Sequence, residues 1–141
     1  MYRTILPLFA LLFGALFAYG QDKPSIKQVA PTASDPTSGK AMFTSYCSAC
    51  HGKDGKGGGP AAAALKKGPS DLTILARRNG GKFPTLAVQN AIAGESGGTA
   101  AHGSKEMPVW GDVFRSMTSN DSITKMRMHN LVKYIESIQV K

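Results

Sequence analysis

Cys47-Ser48-Ala49-Cys50-His51 is the stretch from which the rest of this sequence is read. Two thiols separated by two residues lie about one helical turn apart and can reach the two vinyl groups on one edge of a porphyrin, forming thioethers. The histidine that follows is then held beneath the ring with its imidazole aimed at the iron. Only a thiol adds to the vinyls, and only His offers a neutral nitrogen ligand at that position. Cys47, Cys50 and His51 therefore read as the attachment sequence for one covalently bound haem c. A zinc ribbon needs a second pair of cysteines, and Cys47 and Cys50 are the only 2 in the chain. A thioredoxin-like dithiol sits in a strand–helix–strand pattern of Val and Ile runs, which this region lacks.

The chain has 141 residues, the size of one domain. Hydrophobic residues at 42% and charged residues at 18% fit a small globular protein and not a disordered one. Its 16 glycines predict long loops, and a chain of this size has limited means of building a core from side chains alone. A buried porphyrin would add apolar surface, and its attachment would cross-link the loops around it. A net charge of +8 is compatible with nucleic acid, an anionic membrane or an acidic protein partner. There is no arginine-rich run and no recognition-helix pattern, and an exported chain is an unsuitable nucleic-acid binder. The lysines are dispersed, as on a solvated surface.

Residues 1–20 read as a secretory signal. Arg3 gives a minimal positive region, Thr4 to Ala18 form an almost wholly apolar run, and Ala18-Tyr19-Gly20 offers small residues where a signal peptidase reads. The run is about 15 residues long and is interrupted by Pro7 and Gly14, short of the ~20 that a membrane span needs. Export to the periplasm or beyond the cell follows; the alternative is a protein anchored to the membrane by residues 4–18. Residues 21–34 are rich in Pro, Lys, Gln and Ser without apolar period, which reads as a flexible linker.

The domain is placed at residues 35–141. Asp35 as N-cap and Pro36 at the first helical position predict a helix, and Gly39, Phe43 and Cys47 repeat on one of its faces. Gly39 would let another helix approach closely, with Phe43 packed at the crossing. After His51, the glycine-rich run of residues 52–60 lacks the Gly-Lys-Ser/Thr ending of a phosphate loop. It reads as backbone running close past a flat cofactor, with the Pro60 carbonyl as a candidate partner for the second nitrogen of His51. Ser70-Asp71 starts a short helix from Leu72 to about Arg78, and Pro84-Thr85 starts another to Ala93. Gly94 to Glu106 reads as loop. Asn120 or Asp121 caps a long helix to about Val140, with an apolar face of Ile123, Met126, Leu131, Tyr134, Ile135 and Ile138. No segment alternates with a period of two, so the fold class is all-α.

Taken together, Gly39–Phe43–Cys47, Cys47-Ser48-Ala49-Cys50-His51 and Leu131-Val132-Lys133-Tyr134-Ile135 resemble a class I c-type cytochrome from Asp35 to the C-terminus. The run HGSKEMPVWGDVF, His102 to Phe114, is similar to a bacterial monohaem subgroup. The resemblance implies the cytochrome c fold: N- and C-terminal helices crossing near a right angle, with short helices and long loops wrapped round one haem. It also implies Met107 as the sixth iron ligand, opposite His51. His102 is the rival ligand. Met42 lies too close to the attachment site, Met117 lacks the proline-bounded loop, and Met126 and Met128 lie on the last helix, where methionine fills cores. His129 reads as a helix-surface residue. Trp110 either packs against the porphyrin or donates its indole hydrogen to a propionate. Arg77 and Arg78 either neutralise propionates or cap a short helix.

Iron held on both sides by protein has no position free for oxygen or peroxide, which leaves one-electron cycling. A thioether ligand raises the reduction potential, whereas His/His ligation lowers it. The expected function is transfer of single electrons between redox partners outside the cytoplasm by a monomeric carrier, with any catalysis belonging to a partner chain. The alternative is a haem-bearing electron-transfer subunit of a larger dehydrogenase or oxidase complex. Lys53, Lys56, Lys66, Lys67 and Lys105 either form a rim that meets acidic redox proteins transiently or serve solubility. N-terminal sequencing of the mature protein is expected to begin at Gln21; a start at Met1 would establish an anchor instead.

Overall fold

The structure, a computed structural model, describes residues 33–95 and 106–140. The expectations for residues 1–32, with those for His102 and Lys105, lie outside the described residues. Among the described residues all regular structure is helical and no strand is present, so the fold is all-α as the sequence pattern predicts. None of these helices is long and apolar enough to cross a membrane.

The first helical segment starts later than the sequence suggests. Asp35 caps a turn, its Oδ1 accepting from the Thr37 amide and hydroxyl at 2.8 Å each. Ser38 is the residue that caps the helix, its hydroxyl accepting the Ala41 amide at 3.1 Å. Helix α1 covers Gly39–Met42, a π-helical turn covers Phe43–Cys47, and α2 covers Ser48–His51. Gly39, Met42, Phe43, Tyr46 and Cys47 are buried along one side, the spacing of an amphipathic helix.

Two short turns, Ala62–Ala64 and Leu72–Ile74, and helix α3, Leu75–Arg78, line the path between α2 and helix α4, Thr85–Ala93. Helix α5, Trp110–Ser116, was not foreseen: it is short, has a glycine at its second position and lacks a side-chain cap. Helix α6, Asp121–Ser137, is capped by Asn120, whose side chain accepts the Ser122 amide. Its buried residues are Arg127, Met128, Leu131, Val132 and Ile135. The expected face is therefore turned: Ile123, Met126, Tyr134 and Ile138 sit at its half-buried margins, and His129 is exposed as foreseen. Helix α4 packs on α5 and α6, and α1 packs on α6. The core they enclose contains Met42, Phe43, Ile92, Phe114, Leu131 and Ile135.

Gly39 sets the distance of the α1–α6 contact. A Cβ at this position would stand 2.1 Å from the Asn130 carbonyl oxygen and 2.8 Å from the Tyr134 Cβ. Beside it the rings of Phe43 and Tyr134 pack with centroids 5.2 Å apart, as the sequence pattern leads one to expect. Backbone cannot yield as a side-chain tip can, so a methyl group here forces the two helices apart. Gly39→Ala is expected to cost about 3 kcal/mol, the upper end of the overpacking range. Equilibrium unfolding checks this, and a variant as stable as the wild type would refute the close crossing.

Candidate cofactor cleft

The first helical segment delivers four of its residues to one hollow. Tyr46, Cys47, Cys50 and His51 all line a cleft of about 430 Å³. Leu65, Leu72 and Leu75 contribute apolar surface, as do Val88 and Ile92 of α4, Trp110 of α5 and Ile135 of α6. Met107 and Pro108 reach the same cleft from the loop before α5. The residues that the sequence singled out as Cys47, Cys50, His51, Met107 and Trp110 are thus brought together from positions far apart in the chain.

His51 is half-buried, and its Nδ1 lies 3.0 Å from the Ser70 carbonyl oxygen. A carbonyl can only accept, so Nδ1 carries the hydrogen and Nε2 keeps its lone pair for a metal. Burial pushes the imidazole toward its neutral form, against the opposing pull of the Ser70 carbonyl. Burial, helped by nearby Cys50, pushes the Cys47 thiol up to about 12. The Cys50 thiol is raised for the same reason, by burial. Cys47 and Cys50 are not joined by a disulfide.

The assignment of Pro60 is corrected here. Pro60 is exposed and does not line the cleft; the carbonyl that meets His51 belongs to Ser70. The path of the glycine loop explains why. Gly57 adopts a φ of 90°, and a Cβ there would stand 2.5 Å from the Pro69 carbonyl oxygen. The loop therefore presses on residues 69–70 and carries them under His51. The Ala61 amide meanwhile bonds the Ala49 carbonyl at 2.8 Å, which pins Pro60 outside α2. The glycines serve backbone packed on backbone, and none of residues 52–60 borders the cleft.

Trp110 packs on Tyr46 and Phe114, with ring centroids 5.3 and 5.9 Å away, and borders the cleft. Arg78 lines the cleft and Arg77 does not. Among the described residues Met107 is the one methionine on the cleft wall. Met42 is wholly buried in the core, and the Met117 sulfur lies 3.8 Å from the Tyr46 hydroxyl. Sequence reading overlooked Ser70 and the α4 wall of Val88, Ala91 and Ile92. Helical spacing is the signal that finds the α4 wall.

The donor set decides what this cleft can hold. Among the described residues no cluster of three or more His, Cys, Asp or Glu is placed to bind a metal ion directly. The cleft offers one imidazole, one thioether, two neutral thiols and mainly apolar walls. This set fits a flat, apolar macrocycle that brings its own equatorial nitrogens to iron. Comparison with curated proteins and with solved structures gives no match. A family model described as Cytochrome c matches residues 36–139, which takes in Cys47, Cys50, His51, Met107 and both helices of the α1–α6 contact. On this match and this cleft, the chain belongs to the cytochrome c family of haem-binding electron-transfer proteins.

Proposed function

We propose that this chain is an exported monohaem carrier that passes single electrons between larger redox proteins. In this reading Cys47 and Cys50 would hold haem c through thioethers, and His51 and Met107 would supply a nitrogen and a sulfur to its iron. The observation that carries it is the convergence of these four side chains on one apolar cleft. The haem, when bound, supplies a single ferric/ferrous couple. His51 is oriented by the Ser70 carbonyl, and Met107 contributes a soft sulfur that favours the reduced state. Leu65, Leu72, Leu75, Val88 and Ile92 keep water from the ring and disfavour the extra positive charge of the oxidised state. With His51 and Met107 both serving the iron, the haem would supply electron cycling and not oxygen binding. Electrons leave and enter at the rim near Cys50, which is only half-buried.

The rim also carries charge suited to an acidic partner. Lys53, Lys56, Lys66 and Lys67 are exposed, and Lys67 and Arg78 border the cleft itself. Opposite potentials of this kind raise the rate of encounter more than the affinity. A transient complex with monomeric carrier follows, without nucleic acid. Any contact with membrane comes through a membrane-bound partner or through residues 4–18 if they stay attached.

Spectroscopy, potentiometry and salt dependence test the reading. The purified protein, made in a host that attaches haem, is expected to keep its haem absorption after denaturation. The oxidised form should show a near-infrared sulfur-to-iron charge-transfer band, and Met107→Ala should abolish it and lower the reduction potential. A Met107→Ala protein that keeps the band would sink the ligand assignment. Electron transfer with an acidic redox protein should slow steeply as salt rises past about 0.1 M, where the screening length falls to ~10 Å. A rate indifferent to ionic strength would remove the lysine rim from the account.

A further inference from the structure

Glu106 stands immediately before Met107 and reaches back 40 positions in sequence to the segment after the Ala62–Ala64 turn. Its Oε1 accepts the Lys66 amide at 2.9 Å. Its Oε2 accepts the same amide at 3.1 Å and the Lys67 amide at 3.4 Å. Lys67 and Gly68 line the cleft, and so do Glu106, Met107 and Pro108. One carboxylate thus ties two stretches of cleft wall to each other.

The residues that follow Glu106 cannot do this work: Met107 offers only a weak thioether acceptor, and Pro108 and Val109 have apolar side chains with no acceptor. The acceptor of the brace is charged, which strengthens its hydrogen bonds relative to neutral ones. The donors are main-chain groups, so the interaction depends on the side chain at position 106 and not on the identity of Lys66 or Lys67. For Met107 to swing away from the cleft, the segment beginning at Glu106 must move, and these bonds must break or stretch.

We propose that Glu106 is a positioning residue. It braces the Met107 loop against the Lys66–Lys67 backbone and so sets how readily an external ligand displaces the methionine. The proposal rests on the reading of Met107 as an axial ligand. Without the brace, the swung-out state gains in population by the worth of a partly exposed charge-assisted contact, roughly a factor of ten.

The test titrates imidazole into the oxidised holoprotein and carbon monoxide into the reduced holoprotein, for the wild type, Glu106→Ala and Glu106→Gln. Glu106→Ala is expected to bind imidazole about tenfold more tightly and to show a weakened sulfur-to-iron band. Glu106→Gln keeps the shape and one acceptor oxygen, so it should fall between the two. Its isosteric fit also makes it the reporter should the alanine variant fold poorly. A role confined to stability would lower the unfolding midpoint and leave ligand displacement unchanged. Equal imidazole affinity in wild type and Glu106→Gln, together with Glu106→Ala where it folds, overturns the brace. If the wild type shows the sulfur band but the variants do not differ, the brace alone falls. If the wild type lacks the band, the ligation of Met107 falls and takes the brace with it.

Discussion

The close approach of α1 to α6 at Gly39 governs where everything else in the domain sits. With the Asn130 carbonyl this near to the Gly39 α-carbon, the two backbones meet with no side chain between them. Phe43 then lies on Tyr134, and the segment running on to His51 is aimed at Ile135 and the interior. A helix packed at this distance has little freedom to roll, because ridges and grooves interlock closely. Cys47, Cys50 and His51 are therefore presented by a helical segment and not by a loop.

The π-helical turn of Phe43–Cys47 is the second constraint. A widened turn shifts the register of everything after it by one residue, and such turns recur at functional sites. Met42, just before it, and Phe43, its first residue, face the core; after it, Cys50 and His51 face the cleft, with Tyr46 and Cys47 touching both. The same helical segment can thus be structural at its start and chemical at its end. The loop that follows closes the arrangement by bringing Ser70 to the back of the imidazole. The imidazole and its orienting carbonyl come from segments 19 residues apart, which makes the tautomer of His51 a consequence of the fold.

How much of this the sequence announces depends on the range of the interaction concerned. The spacing within Cys47-Ser48-Ala49-Cys50-His51 is local chemistry, and the Gly39–Phe43–Cys47 period is local geometry; both were legible. Met107 was legible through the family resemblance, as a residue that belongs at the cleft. Ser70 was not, because its arrival at His51 follows from Gly57 pressing on Pro69, a tertiary contact without a sequence period. Helix α5 spans 7 residues, too few for periodicity to stand out beside its glycine. Along α6 the apolar residues suggested one face, and the structure turns that face to admit Arg127. A reading that sorts arginine with the surface has no means of anticipating this.

Arg127 also ties the stretch before α1 to α6. A buried guanidinium needs acceptors, and Nη1 finds one in the Ser34 carbonyl at 2.7 Å. Asn130 donates to the Pro36 carbonyl at 2.9 Å, and the Tyr46 hydroxyl accepts from the Ser34 amide and hydroxyl. Ser34, which composition alone assigns to the linker, is therefore already part of the folded unit. Composition could not mark this boundary, because the partners that hold Ser34 lie on α6 and in the first helical segment. Tyr46 also lines the cleft and stacks on Trp110, so one of the three residues that moor Ser34 and Pro36 also forms part of the cleft wall. In a domain whose two ends meet at α1 and α6, fixing the entry of the chain and fixing that wall are a single structural requirement.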